Sequence, residues 1–276
     1  MVEESARIVF GLSAQGRPEV EAPLGELLAW ISARAGVTIA HETAPSYERL
    51  AERMQEGELD LAWLPPLVYV RLERKQLIVP LVTLQREGRD TYQAVLVVRN
   101  EGAIRALEDL KSTRAAWVDP LSAAGYVLPR GQLHARGLAP EGLFGDERFF
   151  GSHPGALAAV RKGDADVAGT HGSADDAGLL VQQGKSDPSL RVLATFGGIP
   201  ADVIAAKKTV AEDVRTRIAE ALVAAGEDEA MHPLVKAVFG ASSFCLGSEA
   251  SYAGWHRSLP AALASGLLVA IDADEA

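Results

Sequence analysis

The sequence predicts an α/β protein of two lobes, and three observations carry that prediction. Apolar strand-like runs alternate with helical periodicities through the first two-thirds of the chain. Two long apolar runs flank breaks where the chain can leave one lobe and return: Gln85-Arg86-Glu87-Gly88-Arg89-Asp90 before Tyr92, and Gly197-Gly198-Ile199-Pro200 after Phe196. The rest is chiefly helical, with Val214, Ile218 and Leu222 on one face and Leu234, Val238 and Phe239 later. Strands and helices alternating with right-handed crossovers give a mostly parallel sheet covered on both faces. Residues 1–91 with 200–276 are expected to form lobe I, discontinuous in sequence, and 92–199 lobe II. Two crossover strands join them, and ligands of such sheets bind at strand carboxyl ends, here in a cleft between the lobes.

In order, Ile8-Val9-Phe10-Gly11-Leu12 reads as a buried strand and 13–19 as its loop. Leu24, Leu27, Leu28 and Ile31 recur at helical spacing. Thr38–His41 is a short strand, Tyr47, Leu50 and Met54 mark a helix, and Leu59–Trp63 is the next strand. Pro65-Pro66 then breaks the chain and opens a helix through Val70 and Leu72. Runs at Ile78–Thr83 and Tyr92–Val98 are strands. The second alternating unit has a strand at Arg114–Val118, a helix from Ala123 towards His134, and a strand near Phe149-Phe150. A helix over Pro154–Arg161 and strands at Val167 and Leu190–Phe196 complete it.

With 276 residues the chain has room for two ordinary domains. Its 48% hydrophobic content excludes a mainly disordered chain. A net charge of −10 with no run of five like charges argues against nucleic-acid or anionic-membrane partners, which need stripes of Lys and Arg. Cys245 is the only cysteine, so no internal disulfide forms; its apolar setting favours a buried inert thiol. The opening residues have neither a basic region nor a long apolar stretch. Two locations therefore stay open: periplasmic or membrane-associated after loss of a signal peptide, or cytoplasmic.

The most informative stretch is Val118-Asp119-Pro120-Leu121-Ser122-Ala123-Ala124-Gly125-Tyr126. A strand ends at Asp-Pro, a turn of small residues follows, and a helix begins. Amides opening a helix, with the positive end of its dipole, hold anions. Ser122, Ala123, Ala124, Gly125 and Tyr126 are thus candidate ligand residues, and a side chain at Gly125 is expected to crowd the anion. The same residues also fit a plain helix N-cap.

The order and spacing of several motifs resemble one family. They are Gly57-Glu58-Leu59-Asp60-Leu61-Ala62-Trp63, Leu107-Glu108-Asp109-Leu110-Lys111, Asp119 to Pro129, Gly151-Ser152-His153, Gly163 to Ala168, and Ile199-Pro200-Ala201-Asp202. Together they are similar to the phosphonate/phosphate/phosphite-binding solute receptors of ABC transporters. The resemblance implies the type II periplasmic-binding-protein fold, a small oxyanion as ligand, an ABC permease as partner and a monomeric receptor, with no cofactor and no catalysis. It implies that Tyr47 and Tyr92 line the cleft, that His153 meets the ligand at a helix start, and that Asp202 contacts the amine of aminoalkylphosphonates. The family turn usually reads Ser-Thr-Ser-Gly; here Ala123 and Ala124 replace two hydroxyl residues. Each lost bond to a charged group is worth about 1.5–3 kcal/mol, which widens the ligand class to monoanions and molecules held partly by packing. A second amine-binding acid expected after Thr170 is missing, since His171-Gly172-Ser173-Ala174 stands there.

Each residue also has a plainer reading: Tyr47 and Tyr92 as packing aromatics, His153 as a cap, Asp202 as a turn acid, Trp63 as core. His171, a loop histidine beside glycine, is expected at the solvent surface. No pair of histidines or cysteines has metal-ligand spacing, and no Gly-x-Ser-x-Gly elbow, Walker loop or Rossmann fingerprint occurs. Two competing functions share the fold: a cytoplasmic enzyme of the menaquinone or thiamine-precursor type, and a ligand-sensing module.

Overall fold

The computed structural model describes residues 7–13, 17–138, 142–247 and 252. From the amino terminus come β1 (Arg7–Ser13), α1 (Glu21–Ala35), β2 (Thr38–Ala44), α2 (Tyr47–Glu56), β3 (Leu61–Leu64), α3 (Pro66–Arg74) and β4 (Ile78–Gln85). There follow β5 (Thr91–Arg99), β6 (Arg114–Trp117), a π-helical turn (Ala123–Val127), α4 (Leu128–Ala135), β7 (Asp146–Phe149), α5 (His153–Lys162) and β8 (Val167–His171). Then come β9 (Ser173–Ala174), β10 (Leu179–Gln182), β11 (Lys185–Pro200), β12 (Val203–Lys207), α6 (Glu212–Glu227), α7 (His232–Phe239) and β13 (Ser243–Leu246).

The described chain falls into two compact units, divided between Thr91 and Tyr92 and again between Ile199 and Pro200. The first holds a six-stranded sheet in the order β13-β4-β12-β3-β1-β2. β1, between β3 and the edge strand β2, pairs in parallel with both, so both crossovers run through helices, α1 and α2. Leu24, Leu27, Leu28 and Ile31 form the buried stripe of α1 and meet Val214, Ile218 and Leu222 of α6 in one core cluster. Each such side chain contributes roughly 1.5–3 kcal/mol on leaving water.

The sheets are mixed rather than mostly parallel, which corrects the sequence expectation. β12 runs antiparallel to both β3 and β4, and β13 runs antiparallel to β4. These strands reach the sheet from the carboxyl-terminal half of the chain, so no βαβ crossover fixes their direction. β13 was not expected from the sequence at all. It places Cys245 half-buried, with its thiol facing the Thr83 carbonyl at 3.7 Å, not fully buried; partial burial pushes that thiol's pKa up.

The second unit holds a seven-stranded sheet in the order β7-β6-β8-β5-β11-β10-β9. β6 lies between β7 and β8, parallel to both, while β5 runs antiparallel to β8. β9, β10 and the start of β11 form an antiparallel ribbon that periodicity did not reveal. Its core gathers Val95 and Val97 of β5, Ala116 and Val118 at β6, and Ala156, Leu157 and Val160 of α5. Among the described residues no helix is long and apolar enough to cross a membrane.

Candidate anion site

The second unit brings the carboxyl ends of β6, β7 and β8 side by side. After β6 the Asp119 carboxylate accepts the Leu121 amide at 2.8 Å and its carbonyl accepts the Ser122 amide at 2.9 Å, which turns the chain sharply. Ser122 is the N-cap: its buried hydroxyl oxygen accepts the Gly125 amide at 3.0 Å. The helix does not start as the plain α-helix expected. Val127 donates to the Ser122 carbonyl at 3.0 Å and Leu128 to that of Ala123, the wider spacing of a π-turn.

That geometry sorts the five candidate residues of the turn. The Gly125 amide is already satisfied by Ser122, whereas the amides of Ala123 and Ala124 meet no acceptor among the described residues. Ser122 spends a lone pair on its cap and keeps its hydroxyl proton to donate. Tyr126 stacks edge-on between Trp117 and Phe149, at 5.6 and 4.9 Å between ring centroids, under the Arg130 guanidinium. Gly125 is small for an internal reason. A Cβ there would lie 2.3 Å from Val118 Cγ2, so packing against the strand forbids a side chain before any ligand is considered.

A second helix start repeats the design. Ser152 caps α5 by accepting the Gly155 amide at 3.2 Å, so both turns read Ser-x-x-Gly. The two turns are pinned together, because Phe150 and Gly151 donate to the carbonyls of Trp117 and Val118, both at 2.8 Å. β8 closes in from the other side: a Cβ on Gly169 would sit 2.9 Å from the Gly125 carbonyl oxygen.

His153, the first residue of α5, places Nδ1 2.9 Å from the hydroxyl of fully buried Thr170. Its ring stands perpendicular to that of His171 at 4.5 Å, and His171 stands against Tyr92 at 6.1 Å. His171 is therefore half-buried in an aromatic cluster, not at the solvent surface as its loop position suggested. Sequence reasoning also missed Thr170 and Gln182. The Gln182 side-chain amide donates to the Thr170 hydroxyl at 3.2 Å and to the His171 carbonyl at 2.7 Å.

Tyr47 and Asp202 belong to the first unit. Tyr47 opens α2 behind the Ser46 cap and stacks edge-on with Trp63 at 5.9 Å. Trp63 itself packs against the core cluster of that unit. Asp202, buried, is bound to Arg86 Nη2 at 2.7 Å, so its charge already has a cationic partner. Among the described residues no three His, Cys, Asp or Glu side chains gather where they could hold a metal ion.

Comparison with known proteins gives this arrangement a family. The model described as ABC transporter, phosphonate, periplasmic substrate-binding protein matches residues 10–252. The phosphate-import protein PhnD of Mycolicibacterium smegmatis is 25% identical over 166 residues, 56% of this chain and 52% of the relative, so the chain spans about half the length of that relative. The binding protein of a Pseudomonas aeruginosa phosphonate ABC transporter superposes with a TM-score of 0.79 at 17% identity, covering 97% of this chain and 89% of that one. PhnD1 of Prochlorococcus marinus, solved with methylphosphonate, gives 0.76 at 18% identity, over 92% of this chain and 98% of that one. At these identities the two structures show a shared fold, that of type II periplasmic binding proteins. Matched over most of its length, the chain belongs to the phosphonate-type periplasmic substrate-binding proteins of ABC transporters, a family of receptors and not of enzymes.

Proposed function

We propose that the protein binds a small tetrahedral oxyanion of the phosphonate, phosphate or phosphite class and delivers it, as a monomeric periplasmic receptor, to an ABC permease. The observation that carries this reading is the pair of serine-capped helix starts at adjacent strand ends. They put the Ser122 hydroxyl, the Ala123 and Ala124 amides and the His153 ring in one region of the second unit. Tyr92, beside His171, is proposed as a further contact. Oriented N–H groups and the positive ends of helix dipoles supply favourable local potential in a chain whose net charge of −10 repels anions overall.

The reading extends to ligand preference. Asp202 is paired with Arg86, and the second amine-binding acid expected after Thr170 is missing from the stretch His171-Gly172-Ser173-Ala174, so an amino group on the ligand gains little. Thermal unfolding with methylphosphonate, phosphate, phosphite, aminoethylphosphonate and sulfate tests both statements. A bound ligand at one hundred times its dissociation constant adds about 2.7 kcal/mol to stability, a plain shift in melting temperature. Methylphosphonate or an inorganic phosphorus oxyanion is expected to stabilise at least as well as aminoethylphosphonate. No shift with any of the five contradicts the assignment.

A further inference from the structure

The hydrogen bonds behind His153 form a directed chain. Gln182 lies at the end of β10, where Gln183 and Gly184, both at positive φ (50° and 72°), turn the ribbon back to Lys185. The ribbon folds closely over the end of β8: a Cβ on Gly172 would lie 2.9 Å from the Val181 carbonyl oxygen. This places the Gln182 amide against β8. Because the His171 carbonyl at 2.7 Å can only accept, the side-chain atom facing it must be the NH2 group, and that settles the amide's orientation. The same NH2 group then donates to Thr170 Oγ1 at 3.2 Å.

Thr170 is fully buried, and among the described residues its hydroxyl meets two partners, the Gln182 amide and His153 Nδ1. It accepts from the first. A buried hydroxyl proton needs an acceptor, and leaving it without one costs about 1–3 kcal/mol. The acceptor it meets is Nδ1 of His153. An imidazole that accepts at Nδ1 carries its proton at Nε2.

We propose that Gln182 and Thr170 are positioning residues that fix His153 as the Nε2–H tautomer, so that the ring offers a ligand oxygen a neutral hydrogen-bond donor of set direction. The relay itself stands on these distances alone; its service to a ligand rests on the function proposed above. Histidine thereby supplies a donor at the second helix start, next to a turn where Ala123 and Ala124 bring no hydroxyl.

The test uses the full chain labelled with 15N, with long-range 15N–1H correlation of the imidazoles at a pH above the ordinary histidine range. His153 is assigned by the signal lost in H153Q. Wild type is expected to show a single Nε2–H tautomer; T170V is expected to give a tautomer mixture, and T170S to restore the wild-type pattern. Q182M, at a half-buried position, provides a second variant should T170V fold poorly, and is expected to give a mixture as well. Nδ1–H in wild type, or an unchanged single tautomer in the variants, overturns the relay. Calorimetric titration of the same proteins with methylphosphonate and with inorganic phosphate reads its service to the ligand. T170V should bind about tenfold more weakly and T170S near wild type. Wild type that binds neither anion yet shows Nε2–H sinks the functional reading and upholds the relay.

Discussion

Asp166 shows how much one carboxylate can organise. It accepts Arg114 Nε at 3.0 Å, Nη2 at 2.8 Å and the Arg114 amide at 3.0 Å, tying the start of β6 to the approach of β8. The hydrogen bond from the Arg114 side chain, ahead of the opposing effect of partial burial, holds the carboxyl below its ordinary range. A depressed folded value means stability that is present above the unfolded pKa and is lost as pH falls through the folded one. D166N should therefore cost about 1 kcal/mol at neutral pH, and the difference from wild type should shrink in acid. Urea unfolding at both pH values checks this; an equal loss at each contradicts it. Single residues were legible in sequence to the extent that their partners were near. Ser122 announces itself as a cap three residues before a glycine, whereas at α5 the cap is Ser152 and not His153, whose plainer reading was a cap. Asp202 took its expected ligand role from the family resemblance, and its ion partner Arg86, 116 residues away in sequence, was not legible beside it. His171 read as exposed because nothing in the local sequence brings Tyr92 or His153 to its ring.

At the scale of elements, the regular helices were legible wherever an apolar stripe repeated, as in α1 and α6. Pieces stabilised by other means were not. The ribbon of β9 and β10 depends on the Asp175 carboxylate, which accepts the Ala177 and Leu179 amides at 3.0 and 2.9 Å and the Ser186 hydroxyl at 2.6 Å. Four residues of β13 carry too short an alternation to stand out. The π-turn after β6 is dictated by contact between the turn and the strand before it. Gly125 must approach Val118, so G125A should destabilise by about 2 kcal/mol through overpacking. Removing the opposing side chain, whose Cβ would itself lie 2.5 Å away, should relieve it: in denaturant unfolding the V118G/G125A double variant should be less destabilised than the two single changes predict together. Strict additivity would show that the approach is not what the glycine serves.

For the whole molecule, the α/β class and the order of most elements followed from alternation, while sheet direction did not. β12 and β13 come from the carboxyl-terminal half of the chain and enter the first sheet antiparallel, a matter of topology that no local pattern records. The acidity is equally a whole-molecule property: with a net charge of −10, the proposed affinity for an oxyanion relies on directed donors, and the proposal puts foremost the Ser122 hydroxyl beside the amides that open the π-turn. Calorimetric titration of methylphosphonate into wild type and S122A tests that dependence most directly. Wild type should bind with a defined one-to-one stoichiometry and S122A at least about tenfold more weakly, since a hydrogen bond to a charged group is worth about 1.5–3 kcal/mol. Equal affinity in the two proteins would contradict the account.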